Sequence, residues 1–231
     1  MSIQLITFDL DDTLWDVAPA IETAEVVLRE WLANHAPRLG ELSFEDYWTI
    51  RSALLAEEPG LKHRISELRR RALTHAMREA GYATSQAQTL AEAAFEAFLE
   101  ARNRVQLFSD ALPTLQALSQ QFQLGVITNG NADVRRIGID AYFQFALSAE
   151  ELGIGKPDPI PFNEALKRSG SKAELSVHIG DHPIDDIAGA QGAGLRAIWF
   201  NPQGKIWDAE HRPDAEIRSL AQLPALLQSW R

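Results

Sequence analysis

The hydrophobic pattern of the chain divides it into two kinds of segment. Residues 16–103 carry apolar side chains at helical spacing, whereas short continuous apolar runs occur before and after that segment. Continuous runs of this length that are rich in β-forming residues predict buried strands. Such strands are predicted at 3–8, 123–128, 145–148, 175–179 and 195–200, with an edge strand at 215–217. Helices are predicted at 110–120, 132–137, 160–168, 184–193 and 220–230. Strand–helix alternation of this kind favours a parallel sheet with helices on both faces.

The segment 16–103 predicts four amphipathic helices joined by short links, a pattern typical of a small bundle. The second helix is expected to begin at Ser43 and to bury Trp48. Leu61 is expected to belong to the third helix. This bundle interrupts the predicted sheet domain immediately after its first strand, so the sequence predicts a helical insertion in an α/β domain.

Composition limits the functions that the chain can perform. Its 231 residues are 45% hydrophobic, enough for a sizeable core, and its net charge is −10. An acidic balance argues against general nucleic-acid binding, which needs a basic face. The chain has no cysteine, which excludes disulfides, thiolate catalysis and cysteine-ligated zinc. No apolar run approaches the roughly 18 residues of a membrane span. We therefore expect a cytoplasmic protein, a monomer or weak homodimer, without membrane or nucleic-acid partners.

Three carboxylates follow the first predicted strand. Asp9, Asp11 and Asp12 stand directly after the apolar run 3–8. In an open α/β sheet, ligands bind just beyond the carboxyl ends of the strands. Carboxylates gathered at one point repel each other, so they favour a bound hard cation such as Mg²⁺. The alternative interpretation is a solvated, aspartate-rich turn.

Three later segments add to this motif. The second strand ends in Thr128 and Asn129, Lys156 precedes Pro157, and the strand at 175–179 leads into further acids at 181, 185 and 186. These four segments, in this order, resemble the four signature motifs of the haloacid dehalogenase (HAD) superfamily, and the resemblance covers the whole chain. It implies a doubly wound parallel sheet, the Rossmann-like core of that family, formed by 1–15 and 104–231. The helical bundle at 16–103 would then be a type-one cap, which closes over the pocket and makes the substrate contacts that set specificity.

The resemblance also assigns roles to individual residues. Asp9 would be the nucleophile that forms an aspartyl-phosphate, and Asp11 the general acid and then base. Lys156 would balance charge on Asp9 and on the phosphoryl group, to which Thr128 and Asn129 would donate hydrogen bonds.

A Mg²⁺ ion is the cofactor that the resemblance implies. Asp9 and Asp181 would bind it through their side chains, and Asp11 through its carbonyl. The family pattern places another acid four or five positions after Asp181. Asp185 and Asp186 both qualify, and Asp186 is preferred.

Other features have plainer interpretations. His178 and His182 have a spacing that binds metal on a helix, but His178 is predicted within a strand, so we do not expect a zinc site. The basic stretch 62–71 predicts a solvated helix face, with attraction of an anionic substrate as the alternative. Trp15 is expected either at the pocket rim or at the seam between domains.

The function that follows is Mg²⁺-dependent hydrolysis of a small phosphate ester. A branch of the family that dephosphorylates 5-amino-6-(5-phospho-D-ribitylamino)uracil shares the runs Thr7–Leu14 and Ile127–Asn131 with this chain. Haloacid dehalogenases of the family lack the second acid, so Asp11 argues against a 2-haloacid dehalogenase. A phosphomutase stays open, because mutases of the family have both acids. A non-catalytic binding module is a further alternative, although such members usually lose the motif acids.

Overall fold

The structure is a computed structural model that describes residues 3–40 and 42–230. These residues divide into two compact units. The helical unit is Ala18–Val105, and the sheet unit comprises the described residues before and after it. The boundaries of the predicted insertion, 16–103, therefore lie close to those of the observed helical unit.

The sheet unit contains one six-stranded sheet among the described residues, and every neighbouring pair of strands is parallel. The spatial order is β3-β2-β1-β4-β5-β6. The strands are β1 Leu5–Phe8, β2 Gln123–Thr128, β3 Phe145–Ser148, β4 Ser176–Gly180, β5 Arg196–Phe200 and β6 Ala215–Ile217. Both β1 and β4 are buried along their whole length. The predicted doubly wound α/β fold is confirmed, with β1 in the interior of the sheet.

Helices connect the strands of the sheet unit. They are α5 Ala111–Ser119, α6 Val134–Ile137, α7 Ala149–Leu152, α8 Pro159–Ser169, α9 Gly189–Gly192 and α10 Leu223–Ser229. The helix predicted at 132–137 begins only at Val134, where Asp133 caps it. The helix predicted at 184–193 is a π-helical segment, Pro183–Ala188, followed by α9. The wider π-helical turn directly follows β4, at the end of the strand that carries the predicted acids.

The helical unit contains α1 Val17–His35, α2 Phe44–Glu57, α3 Ile65–Glu79 and α4 Thr84–Arg102. Leu28, Leu73, Phe95 and Phe98 belong to its shared core. Two expectations are wrong here. Leu61 lies in a short 3₁₀ helix, Pro59–His63, because Pro59 can begin a helical turn but cannot continue α2. Trp48 is 55% exposed, because α2 is barely amphipathic and turns this residue outward. Among the described residues, no helix combines the length and apolar character needed to cross a membrane.

Candidate active site

The carboxyl ends of the three central strands bring the candidate residues together. Asp9 follows β1, Thr128 ends β2, and Asp181 follows β4. Parallel pairing aligns these ends, because Phe8 of β1 is in register with Val126 of β2 and with Ile179 of β4. The site therefore forms at one edge of the sheet, where ligands bind in open α/β folds.

Lys156 lies between two buried carboxylates. Its Nζ donates to Asp9 Oδ1 at 2.7 Å and to Asp186 Oδ1 at 2.6 Å. The Lys156 and Asp186 side chains are each 2% exposed, and Asp9 is 11% exposed. The structure thus brings residues of the first, third and fourth motifs together in one ion-paired cluster. Of the two candidate acids after Asp181, Asp186 is the buried one.

The charges in this cluster do not balance. Burial raises the pKa of Asp9 well above its usual value; the Lys156 ammonium opposes this shift, and the Asp186 carboxylate adds to it. Burial would also raise the pKa of Asp186, but Lys156 and a hydrogen bond from His178 outweigh it and hold the pKa below its usual value. Burial would lower the pKa of Lys156, but Asp186 and Asp9 raise it, so the ammonium is charged at neutral pH. One cation is shared by more carboxylates than it can neutralise.

The excess negative charge fits a divalent cation. Asp9, Asp181 and Asp186 each offer a carboxylate oxygen, and these oxygens lie within 4.8 Å of one another. Burial, followed by the charges of Asp186 and Asp12, raises the pKa of Asp181 to about 6. Oxygen ligands of this kind suit Mg²⁺, and a +2 charge would offset both the burial and the carboxylate repulsion that raise the pKa values of Asp9 and Asp181. The residues present therefore fit the ion that the sequence implies, with Asp9 and Asp181 as the better donors because both oxygens of Asp186 already have hydrogen-bond partners in the protein.

Polar groups contact both carboxylate oxygens of Asp186. His178 Nε2 lies 3.0 Å from Asp186 Oδ1, and the His182 backbone N–H donates to Asp186 Oδ2 at 2.9 Å. His178 Nδ1 lies 2.9 Å from Thr7 Oγ1 in the neighbouring strand. A Cβ added at Gly180 would lie 2.2 Å from Asp186 Cγ, so only glycine leaves room for this carboxylate.

Sequence reasoning missed the role of His178. Its side chain is buried, and burial lowers its pKa, so the ring is neutral. A signal was present in the sequence, because Thr7 and His178 are polar residues inside two apolar strands and lie in register. His182 Nδ1 accepts from the Asp185 N–H and caps the π-helical segment.

The Asn129 side chain has partners within the protein. Its Oδ1 accepts from the Lys156 N–H at 2.8 Å, and its Nδ2 donates to the Lys156 carbonyl at 2.9 Å and to Asp185 Oδ2 at 3.3 Å. The side-chain amide therefore holds the Lys156 segment, and its hydrogen bond to a phosphoryl oxygen stays a prediction. Gly155 permits this contact, since a Cβ there would lie 2.4 Å from Asn129 Oδ1. The Lys156–Pro157 peptide bond that follows is cis. 

Thr128 keeps a geometry that suits its predicted role. The residue is buried at the end of β2, and its Oγ1 accepts from the Gly130 N–H at 3.0 Å. This bond orients the hydroxyl group at the same sheet edge as Asp9.

Asp11 is oriented by Trp15. The indole Nε1 donates to Asp11 Oδ1 at 2.9 Å, and the Trp15 side chain is completely buried. Asp12, between them, has a positive φ of 58°, and its Oδ1 accepts from the Val17 N–H at 3.0 Å. The turn after β1 therefore gives each of its acids a different partner. Trp15 is part of the sheet unit and supports the site, a role that its sequence position alone did not reveal.

The basic stretch 62–71 lies in the helical unit and is largely ion-paired. Arg64 and Arg71 both contact Glu58 and Glu67. These pairs agree with the solvated-face interpretation.

Comparison with known proteins gives a consistent result. Residues 3–194 match the model of the haloacid dehalogenase-like hydrolase family. The chain is 33% identical to the 5-amino-6-(5-phospho-D-ribitylamino)uracil phosphatase YigB of Escherichia coli, over 97% of this chain and 96% of that protein. It is 31% identical to a phosphoserine phosphatase of Thermus thermophilus, over 96% of this chain and 98% of that protein.

Solved structures agree on the fold. A crystal structure described as the 2-haloacid dehalogenase from Pseudomonas syringae pv. tomato is 62% identical, with a TM-score of 0.98 over 99% of this chain and 100% of that chain. The HAD-hydrolase YfnB of Bacillus subtilis, solved bound to magnesium, is 28% identical, with a TM-score of 0.69 over 98% of this chain and 99% of that chain. With the family model matching most of the chain and full-length relatives above 30% identity, this protein belongs to the haloacid dehalogenase-like hydrolase family.

Proposed function

We propose that this hydrolase is a phosphatase that uses Mg²⁺ to hydrolyse a small phosphate ester through an aspartyl-phosphate intermediate. The observation that carries the proposal is the cluster of three carboxylates beyond the ends of β1 and β4, two of which pair with the ammonium of Lys156. Such a cluster suits a dianionic phosphate only when cations offset its charge.

Each residue of the cluster has a part in the proposed reaction. Asp9 is the nucleophile, and its oxygen attacks phosphorus while the bond to the leaving alkoxide breaks. Lys156 neutralises Asp9 and so lets the phosphoryl group approach. Thr128 donates its hydroxyl hydrogen to a phosphoryl oxygen. When bound by Asp9 and Asp181, Mg²⁺ supplies positive charge that stabilises the transferring phosphoryl group.

Asp11 is the proposed proton donor. An alkoxide is a poor leaving group and must be protonated, and the same carboxylate can then take a proton from the water that hydrolyses the aspartyl-phosphate. The hydrogen bond from Trp15 holds one Asp11 oxygen, which fixes the direction in which the carboxyl group points.

Dehalogenation is the competing function, favoured by the description of the 62% identical structure from Pseudomonas syringae. A halide leaves as a stable anion and needs no proton, so that reaction has no use for Asp11. It also has no need for a cation-binding set of carboxylates. The residues around Asp9 therefore support phosphate ester hydrolysis better than carbon–halogen cleavage.

The substrate proposed first is 5-amino-6-(5-phospho-D-ribitylamino)uracil. It rests on the similarity to YigB, which extends over nearly the whole length of both chains. Phosphoserine is the next candidate, because of the Thermus thermophilus relative.

The test compares two reactions in one preparation. Phosphate release from p-nitrophenyl phosphate and from the two candidate substrates is measured with Mg²⁺ and with EDTA, beside chloride release from L-2-chloropropionate. We expect phosphate release that requires Mg²⁺ and negligible chloride release. Chloride release that exceeds phosphate release and persists in EDTA would replace this proposal with dehalogenation.

Two substitutions test the roles proposed for Asp9 and Asp11. Asp9→Asn should abolish phosphate release; activity within about tenfold of wild type, or about 1.4 kcal/mol of barrier, would contradict its role as nucleophile. Asp11→Asn should reduce phosphate release by at least about a hundredfold, as loss of a general acid does. The matched control is Asp12→Asn, which keeps an oxygen for the Val17 N–H and tolerates the positive φ. Equal losses of phosphate release in Asp11→Asn and Asp12→Asn would show that Asp11 is not the specific proton donor.

A further inference from the structure

Two polar residues face each other inside the sheet. Thr7 of β1 and His178 of β4 are in register and fully buried, whereas the residues that follow them, Phe8 and Ile179, are apolar. Burying polar groups is unfavourable unless they are hydrogen-bonded, and two apolar residues of matching shape can replace such a pair at little or no cost. Packing alone therefore does not account for Thr7 and His178.

The contacts of the His178 ring determine which of its nitrogens carries the hydrogen. Nε2 lies 3.0 Å from Asp186 Oδ1, and an ionised carboxylate can only accept, so Nε2 is the donor. The buried ring is neutral, so Nδ1 accepts from the Thr7 hydroxyl at 2.9 Å. The Val177 carbonyl lies 3.4 Å from the same hydroxyl, which is longer than such hydrogen bonds usually are. Thr7 therefore favours the tautomer in which His178 donates to Asp186.

An aromatic contact also holds the imidazole ring. The ring of Phe162, in α8, meets the His178 ring edge-on, with the ring centres 5.3 Å apart and an angle of 86° between the planes. Phe162 is completely buried, so it has little freedom to move. Together with the hydrogen bonds at both nitrogens, this contact fixes the direction in which the Nε2–H group points.

The contacts continue from Asp186 to the nucleophile proposed at Asp9. Asp186 Oδ1 accepts from His178 Nε2 and also from Lys156 Nζ, at 2.6 Å, and Lys156 Nζ donates to Asp9 Oδ1 at 2.7 Å. Asp9 follows Thr7 by two residues, so this series of contacts begins and ends on the same short segment of chain. A series closed in this way leaves the Lys156 ammonium little freedom relative to Asp9.

The orientation of the Asp186 carboxylate depends on His178. The His182 backbone N–H holds Oδ2 at 2.9 Å, and His178 holds Oδ1, so the two donors together fix the plane of the carboxylate. Rotation of that plane would move the oxygen that Lys156 contacts. A displacement of about 1 Å at a reacting group can lower a rate by about a hundredfold.

We propose that Thr7 and His178 are positioning residues for the phosphatase reaction, an inference that rests on the function proposed above. Thr7 sets the tautomer of His178, His178 orients the carboxylate of Asp186, and that carboxylate holds the Lys156 ammonium beside Asp9. Thr7 and His178 are fully buried, so they act on the phosphate ester only through Lys156.

Two amide substitutions of His178 separate positioning from packing. The amide nitrogen of glutamine reaches the place of the histidine Nε2, whereas that of asparagine reaches only the place of Nδ1. Both variants lose the ring contact with Phe162, but only His178→Gln keeps a donor for Asp186.

Turnover of p-nitrophenyl phosphate with Mg²⁺ is measured well below the Tm of each variant. We expect kcat of His178→Asn to be at least about tenfold below that of His178→Gln, as for loss of a hydrogen bond to a charged group. KM should differ by less than about threefold between them, because no charge that attracts the ester is lost. His211→Asn is the control; His211 is exposed in the loop between β5 and β6, so its loss should leave kcat unchanged.

The outcomes separate this inference from the proposed function. Equal kcat in His178→Asn and His178→Gln would overturn the positioning role and leave the phosphatase function in place. A wild-type protein without Mg²⁺-dependent phosphate release would overturn the function itself, and the positioning role with it.

A second pair of variants tests Thr7 and serves even where a His178 variant does not fold. Thr7→Val keeps the shape and removes the hydroxyl, whereas Thr7→Ser keeps the hydroxyl. We expect kcat of Thr7→Val to be about threefold or more below that of Thr7→Ser, as for loss of a hydrogen bond between neutral groups. Nitrogen NMR of the metal-free wild type should show His178 Nε2 protonated and Nδ1 unprotonated. The opposite tautomer, or equal kcat in Thr7→Val and Thr7→Ser, would overturn the role of Thr7.

Discussion

Replacing Lys156 by methionine tests whether its charge stabilises the sheet unit as the geometry indicates. Methionine keeps most of the volume but removes the ammonium that contacts Asp9 at 2.7 Å and Asp186 at 2.6 Å. Removing one partner of a buried ion pair costs about 3–5 kcal/mol, because the remaining charge is buried without compensation. For a protein of this size, about 2–4 °C is lost per kcal/mol, so Tm should fall by roughly 6–20 °C at pH 8.

The loss in Lys156→Met should depend on pH with a definite sign. In wild type, Lys156 stays charged and Asp186 stays ionised between pH 5 and 8, because the pKa of the lysine is raised and that of the acid is lowered. Without the lysine, burial raises the pKa of both Asp186 and Asp9, so the folded variant binds more protons than its unfolded chain. Stability of the variant then rises as pH falls, and the difference in Tm from wild type should shrink between pH 8 and pH 5.

Thermal unfolding followed by circular dichroism in EDTA, at pH 8 and pH 5, measures both effects. The control is Lys167→Met, because Lys167 is 80% exposed and lies 3.5 Å from Glu164, so its loss should change Tm by only about 2 °C or less. A Lys156→Met protein that unfolds at the temperature of the control, or whose deficit is the same at both pH values, would refute the reasoning.

Three further predictions concern single contacts of the site. Gly180→Ala places a Cβ 2.2 Å from Asp186 Cγ, so it should lower the free energy of unfolding in urea by about 1–3 kcal/mol and reduce phosphate release. An unchanged free energy of unfolding together with unchanged phosphate release would contradict the packing described. Trp15→Phe removes the donor to Asp11 and should lower kcat at least about tenfold. Because Trp15 is completely buried, the smaller ring should also cost about 0.5–3 kcal/mol of stability, so kcat is measured well below the Tm of the variant; a wild-type kcat would mean that this hydrogen bond does not matter. Calorimetric Mg²⁺ affinity should weaken as pH falls below about 6, because protons then compete at Asp181; affinity that is constant from pH 7.5 to 5 would exclude Asp181 as a ligand.

The sequence was sufficient for the sheet and for the positions of the acids. The apolar runs and the acids that follow them are local patterns, and the parallel sheet then places Asp9 and Asp181 at the same edge. The partners of these residues are distant in sequence, which local patterns do not reveal. Asn129 was expected to donate to a phosphoryl oxygen; the pairing of its amide with the backbone of Lys156, 27 residues later in the chain, could not be expected from a local pattern. 

Details of packing were also beyond the sequence patterns. His178 could be placed in a strand, but its contact with Asp186 depends on the π-helical turn that follows β4. Trp48 was expected to be buried because aromatic residues usually are, yet the weak apolar face of α2 leaves it exposed. Periodicity predicts which elements form; it does not determine how each side chain of a marginal helix is turned.

The interior position of β1 has a consequence for the order of folding during synthesis. This strand is synthesised before both of its neighbours, β2 and β4, which begin at Gln123 and Ser176. At about 5–20 residues per second, translation reaches the end of β4 roughly 9–34 s after the end of β1. The helical unit, whose residues are contiguous between Ala18 and Val105, can complete its own contacts well before then. The nucleophile proposed at Asp9 is therefore made before the two strands that flank β1, and a chain that stops before β4 would leave one edge of β1 open to pairing with other chains.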